Sequence, residues 1–216
     1  MPSASTIKVL ISVALWEAVA AGAIDASTRV PAGEMTLGDP EGLVPGFDPA
    51  TELALADLDL LMLSVSDNDA TNAIIDRVGM DAVNAVGARL GLTKTVLRRR
   101  MLDLAAAAAG RDNTTCAADL AALMAALGAR AGIPPEVAAR VLHGLGRSQH
   151  RDIIPRYLPQ GVTSVACKQG DIASVRHDAA LIADGARLTA LAVMSRPAAA
   201  PDGLARLAAS VYAQAE

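Results

Sequence analysis

The stretch Ser5-Thr6-Ile7-Lys8-Val9-Leu10-Ile11-Ser12-Val13-Ala14-Leu15-Trp16 decides how the rest of the chain is read. It admits two readings that exclude one another. One positive charge, an apolar run and small residues further on imitate a secretory leader. The same letters also make a helix that begins at Ser5 and stops at Gly22. Glu17 sits awkwardly between the apolar run and the small residues of a cleavage site. On the helical reading Ser5 and Lys8, at i and i+3, share a face, so the amine can reach the hydroxyl. On the leader reading both are removed and the chain is something secreted.

Composition narrows the field. A chain of 216 residues holds one good core or two interleaved subdomains. Aromatic residues make up 2% and the net charge is −4, so neither the electrostatic nor the stacking half of nucleic-acid binding is supplied. No apolar stretch reaches membrane-spanning length. No cofactor motif is present, and neither the histidines nor the cysteines have metal-ligand spacing. Cys116 and Cys167 read as two small buried thiols, with a single bridge between them as the alternative.

Along the chain, Ala- and Leu-rich helical patterns alternate with Gly and Pro over the first three quarters. Residues 25–50 carry Pro and Gly without periodicity and read as a long connecting loop. Helical patterns follow at about 52–65, 69–78 and 80–90. After the basic cluster Arg98-Arg99-Arg100, Thr114 or Thr115 is expected to cap a helix running to Gly128. Pro134-Pro135-Glu136 opens another. Thr163–Gly170, Val175–Ala183 and Arg187–Met194 read as three antiparallel strands. A closing helix from Asp202 to Gln214 puts Leu204, Leu207, Ala208 and Val211 on one face. The expected fold class is α+β in a single domain, 1–216, with a mainly helical part at roughly 5–160 and strands plus helix at 163–216.

Three short motifs stand in order: Ser5-Thr6-Ile7-Lys8, Ser66-Asp67-Asn68 and Lys168-Gln169-Gly170. A serine hydroxyl at its ordinary pKa needs a base beside it. For Lys8 to serve, its pKa must fall from about 10.4 to about 7, which burial by the following apolar run and a second cation, Lys168, would favour. A serine at a helix N-terminus also meets free backbone N–H groups, which suit a developing oxyanion. Taken singly, each motif has a plain structural reading: a solvated helix face, a helix cap and a strand end.

Together the motifs resemble the penicillin-recognising serine hydrolases, the class A β-lactamases and their penicillin-binding relatives. Ser3–Leu10 is similar to the family's nucleophile helix and Ser66–Asn72 to its central loop. Asp152-Ile153-Ile154-Pro155, Leu158-Pro159, Val165–Gly170 and Arg176-His177-Asp178 resemble the run through its late strands. The resemblance implies catalytic roles for Ser5 as nucleophile, Lys8 as its base, and Ser66 with Lys168 as the proton relay to the leaving group. Asn68 would orient Lys8 and a substrate amide, and Gln169 and Gly170 would border the substrate. The N–H groups of Ser5 and Asp171 would form the oxyanion hole. The implied reaction is acyl transfer through an ester on Ser5, with a small-molecule β-lactam, ester or amide as partner and no cofactor. Alternatives are an esterase, amidase or D-Ala-D-Ala peptidase relative, or a catalytically silent acyl-binding homologue.

The chain departs from the family in three places. Its β-lactamases carry a loop glutamate that activates water for deacylation, but here no glutamate lies between Glu52 and Glu136. The matching position is Met101. Asp103, two residues on, is a candidate loop carboxylate or a partner for Arg99 or Arg100, and Arg99 with Asp112 can supply the ion pair that closes the loop. Slow deacylation is the expectation. Gln169 replaces a Thr or Ser hydroxyl that helps hold a substrate carboxylate. Finally, only Met1 to Ala4 precede Ser5, so the fold is expected to lack the first two strands of the family sheet. Arg187–Met194 is then an open edge that upstream residues, or a second copy in a homodimer, would cover. The sequence as written reads as cytoplasmic, and as secreted or periplasmic if residues are missing upstream.

Overall fold

In the computed structural model, which describes residues 1–35, 39 and 41–214, the stretch around Lys8 is the central helix. A 3₁₀ turn, Ala4–Ile7, leads into α1, Lys8–Ala20. Every residue from Lys8 to Trp16 is buried. A helix that is apolar on all sides belongs inside a protein, and α1 packs against α3 (Leu55–Ser64), α4 (Asn68–Val78), α5 (Met80–Arg89) and α8 (Pro135–Leu145). The leader reading of these residues is therefore overturned.

The described residues around 25–50 form more regular structure than their composition predicts. β1 (Arg29–Pro31) pairs antiparallel with β2 (Glu52–Ala54), with Val30 opposite Leu53. The short helix α2 (Ala32–Met35) and a 3₁₀ turn, Val44–Gly46, lie between them. Three-residue strands are too short to show alternation, which is why the loop reading missed them. The helix expected from residue 52 accordingly begins at Leu55.

After α5 come the single-turn α6 (Leu104–Ala108) and α7 (Ala117–Ala129). The N-cap of α7 is Cys116, with no side-chain capping bond to the backbone, rather than a threonine. Thr114 exchanges backbone bonds with Val96 instead, and Thr115 Oγ1 lies 2.8 Å from Thr95 Oγ1. Both threonines are committed to tying the 93–115 segment together.

The expected strands are present as β3 (Ser164–Ile172), β4 (Val175–Asp184) and β5 (Arg187–Ser195), in the order β3-β4-β5. Pairing sets Lys168 opposite Ala179 and Ala180 opposite Leu191. One sheet face sends Ala179 and Leu181 into the core around α1. The other packs Cys167, Ala180, Ile182, Leu191 and Val193 under the closing helix α9 (Pro201–Gln214). That helix buries Leu204, Ala205, Ala208 and Tyr212, whereas Leu207 and Val211 are 51% and 41% exposed. The buried stripe is thus turned by about one residue from the sequence reading. Among the described residues β5 pairs with β4 alone, which leaves the open edge the sequence anticipated. Cys116 and Cys167 are both free, so the alternative of a bridge is corrected.

Candidate active site

Ser5 lies on the 3₁₀ turn where β3 runs past the start of α1. A Cβ added at Gly170 would fall 2.8 Å from Ser5 N and 2.9 Å from Thr6 N. No side chain fits there, so Gly170 is what allows the strand and the turn to meet. Ser5 and Asp171 consequently border the same cavity, of about 330 Å³, with Ser66, Asn68, Gln169 and His150. A larger cavity, about 730 Å³, lies between the ends of α7 and α8 and the sheet, and contains none of the three motifs' serines or lysines.

Lys8 is completely buried, and its Nζ lies 2.6 Å from Ser66 O, 3.1 Å from Ser66 Oγ and 2.7 Å from Asn68 Oδ1. Burial, then the nearby positive charge of Lys168, pulls its pKa well below the ordinary lysine range, opposed by Asp67 and Asp39. Lys168 approaches from β3. Its Nζ donates to Ser66 Oγ at 3.0 Å and to Gln169 O at 2.9 Å, and burial lowers its pKa to about 8 against the pull of Asp178.

Ser66 joins α3 to α4 in the left-handed region, at φ 65°. That conformation costs a non-glycine residue roughly 1–2 kcal/mol, and such strain is concentrated where a side chain must be aimed. The flanking residues hold it in place. Asp67 caps α4 by accepting from Ala70 N at 2.8 Å, and its other oxygen accepts from Leu43 N and Val44 N at 2.7 and 2.9 Å. The three motifs thus come together around one hydroxyl.

Several residues in the cavity lie outside the three motifs. Asp39, 4% exposed, accepts from Asn68 N at 3.2 Å and from Asn68 Nδ2 at 2.9 Å through the same oxygen. This fixes the Asn68 amide so that its carbonyl oxygen faces Lys8. Glu41, His150 and Asp152 also line the cavity. Asp152 Oδ1 accepts from Gln169 Nε2 at 2.6 Å. These are single polar residues in loops outside the three motifs, and only Asp152 stood in a stretch the resemblance had already marked.

The expected loop carboxylate is a correction. Asp103 caps α6, accepting from Ala106 N at 2.9 Å, and does not line the cavity. It pairs with neither Arg99 nor Arg100. Arg100 meets Asp76 at 3.0 Å, while Arg99 and Asp112 form the anticipated ion pair at 2.8 Å. Met101 is buried, and Asn72 clamps its backbone on both sides: Oδ1 accepts from Met101 N at 2.8 Å, and Nδ2 donates to Met101 O at 3.2 Å. His177 and Asp178 bond outside the sheet, to Pro2 O and Ile154 N respectively, both at 2.9 Å. Burial raises the Asp178 carboxyl to about 7.

The fold and its two lysines around one serine define a β-lactamase-like serine hydrolase. The model of the beta-lactamase enzyme family matches residues 1–215, and the chain belongs to that family. A comparison with curated proteins finds no match. Among solved structures, a β-lactamase from Sphaerobacter thermophilus is similar at 29% identity with a TM-score of 0.87, covering 100% of this chain and 83% of that one. PBP-A is similar at 30% identity and a TM-score of 0.86, over 100% and 81% of the two chains. A mutant of PBP-A is described as an acyl-enzyme complex with penicillin G. A β-lactamase from Xanthomonas campestris shares the fold at 21% identity, with a TM-score of 0.89 over 100% and 84%. No helix among the described residues is long and apolar enough to cross a membrane.

Proposed function

We propose that the chain is a single catalytic domain that transfers acyl groups through an ester on Ser5 and releases them slowly. The carrying observation is the convergence of Lys8 Nζ and Lys168 Nζ on Ser66 Oγ, at 3.1 and 3.0 Å. A neutral amine has two protons and one lone pair. With Lys8 neutral, it donates to Ser66 O and Asn68 Oδ1 and can accept from a hydroxyl. Lys8 takes the proton of Ser5 as Oγ attacks the acyl carbonyl, and Ser66 passes a proton to the leaving group while Lys168 supports its oxygen. The N–H groups of Ser5 and Asp171 receive the developing oxyanion. Gly170 keeps that approach open.

Slow release follows from the loop. Met101 stands where the family's β-lactamases carry their glutamate, and Asp103 is spent on a helix cap. A general base contributes about 10²–10⁴-fold, so an acyl-enzyme formed here waits on unassisted water. β-Lactams are the first substrates to try, given the family and the acyl-enzyme described for PBP-A.

Intact-mass measurement after exposure to a chromogenic cephalosporin or a fluorophosphonate tests this reading. A long-lived adduct on Ser5 is expected, absent in Ser5→Ala. No adduct on folded protein overturns it. An adduct with the cephalosporin that turns over within seconds overturns slow release alone.

A further inference from the structure

We propose that the larger cavity, of about 730 Å³, is a second ligand site that takes a carboxylate carried on an aliphatic body. It stands apart from the acyl-transfer reading above, and its test involves no chemistry at Ser5.

The cavity forms where α7 and α8 end over the sheet. Gly128, near the end of α7, lies so close to β4 that an added Cβ would fall 2.9 Å from Leu181 Cδ1. Of the lining leucines, Leu127 and Leu181 are buried, Leu142 is half-buried and Leu188 is 53% exposed. Apolar surface left open around a cavity of this size is what a hydrocarbon chain covers with gain.

The charge of the lining sets the head group. Arg130, Arg147 and Arg151 border the cavity, and no Asp or Glu is among its lining residues. In a chain of net charge −4 that is a local reversal of sign. Arg130 caps α7 in the left-handed region, at φ 54°, where a glycine would be at ease. Arg147 lies two residues beyond the end of α8. A helix C-terminus carries a charge of about −0.5, so the two helix ends offset about one of the three positive charges and leave the rest. Among the described residues none of the three arginines is in an ion pair. Arg147 donates Nε to His143 Nε2 at 3.1 Å, and Arg151 donates Nη1 to Val165 O at 3.3 Å. A guanidinium has five N–H groups in a planar fork that matches a carboxylate, so most of them remain for a ligand.

One stretch of chain separates this site from the one around Ser5. Arg147, Ser148, Gln149 and Arg151 face the larger cavity, whereas His150 and Asp152 border the smaller. Gln149 N donates to Ser64 O at 2.8 Å and pins that stretch to the end of α3. A ligand among the arginines therefore leaves the space beside Ser5 to an acyl donor.

Calorimetric titration with three octyl compounds that differ only in the head group tests the site: octanoate, 1-octanol and octylammonium. The expected order of affinity is octanoate, octanol, octylammonium, with octanoate in about the millimolar range and about tenfold or more between the extremes. Added salt narrows that ratio. The three arginines are exposed, so Arg130→Gln, Arg147→Gln and Arg151→Gln together should keep the fold and bring octanoate down to the affinity of octanol. Arg147→Gln with Arg151→Gln alone leaves the left-handed position untouched and should lose part of the preference. Equal affinity for the three compounds, no binding of octanoate, or a preference unchanged in both variants overturns the proposal.

Discussion

Lys168 Nζ lies 3.0 Å from Ser66 Oγ, with the lysine on a late strand and the serine between two helices of the other half of the fold. The same hydroxyl is 3.1 Å from Lys8 on the central helix. One oxygen therefore joins three separate parts of the chain. A hydroxyl has one proton to give and two lone pairs, so it can accept from Lys168 while exchanging a proton with Lys8. Both lysines are fully buried, while the serine is half-buried and borders the cavity.

The conformation of Ser66 makes a separable prediction. At φ 65° a glycine is at ease, while serine and alanine both bear the left-handed penalty. Ser66→Gly is expected to be more stable than Ser66→Ala by about 1 kcal/mol. Both are expected to acylate slower by about 10²–10⁴-fold, because the relay is gone. Urea unfolding and first-turnover acylation rates check the two halves. Equal stability of the two variants would show that the position is unstrained.

Lys168 predicts a pH trend. Its folded pKa is about 8 against an ordinary 10.5. Between those values the unfolded chain binds more protons, so this group adds stability as pH rises and weighs against folding below about pH 8. Lys168→Met removes the titration. The stability of the variant minus that of wild type should be highest below pH 8 and should shrink toward pH 10.5. Asp178, raised to about 7 by burial and lowered by Lys168, titrates higher in the variant and moves the difference the same way. Denaturant melts across that range check the trend, and a flat difference contradicts it.

What could be seen in the sequence was whatever repeats locally. α1 showed as an apolar run that a leader reading also fitted, the sheet as Val- and Ile-rich strands split by Asp184-Gly185, and the candidate site as three motifs in order. What could not be seen was long-range or had no period. Val30 and Leu53 pair across residues whose Pro and Gly content reads as loop. Asp103 stood in the sequence as a candidate loop carboxylate or a partner for Arg99 or Arg100, but its side chain caps the first turn of α6 instead. Asp39 became visible only when the chain brought it to Asn68, and the contact of Asp152 with Gln169 likewise needed the fold.

Asp39 supplies a prediction about positioning. Its one oxygen holds both nitrogens of Asn68, and Asn68 Oδ1 in turn faces Lys8. Asp39→Ala leaves a partly buried amide free to rotate, with a stability loss of about 1–3 kcal/mol and acylation slower by about tenfold or more. Asp39→Asn keeps an acceptor for Asn68 and should recover part of both. If Asp39→Ala loses stability but acylates at the wild-type rate, the carboxylate is a structural clamp only.

The loop position makes the strongest claim on function. Asn68 and Asn72 are one turn apart on α4, so they share a face; the first contacts Lys8 and the second grips the backbone of Met101 at N and O. That grip involves no Met101 side-chain atom, so it should survive substitution there. Met101→Glu then introduces a carboxylate at the position where the family's β-lactamases carry theirs. Deacylation should accelerate by about 10²–10⁴-fold if a base is what the loop lacks. The glutamate enters a buried position, so some loss of stability accompanies it. Met101→Gln has the same shape without the base, and should leave the adduct as long-lived as in wild type. The lifetime of the Ser5 adduct, followed by intact mass after removal of excess reagent, separates the two. Equal lifetimes in the Glu and Gln variants would mean that loop geometry, and not the missing carboxylate, limits release.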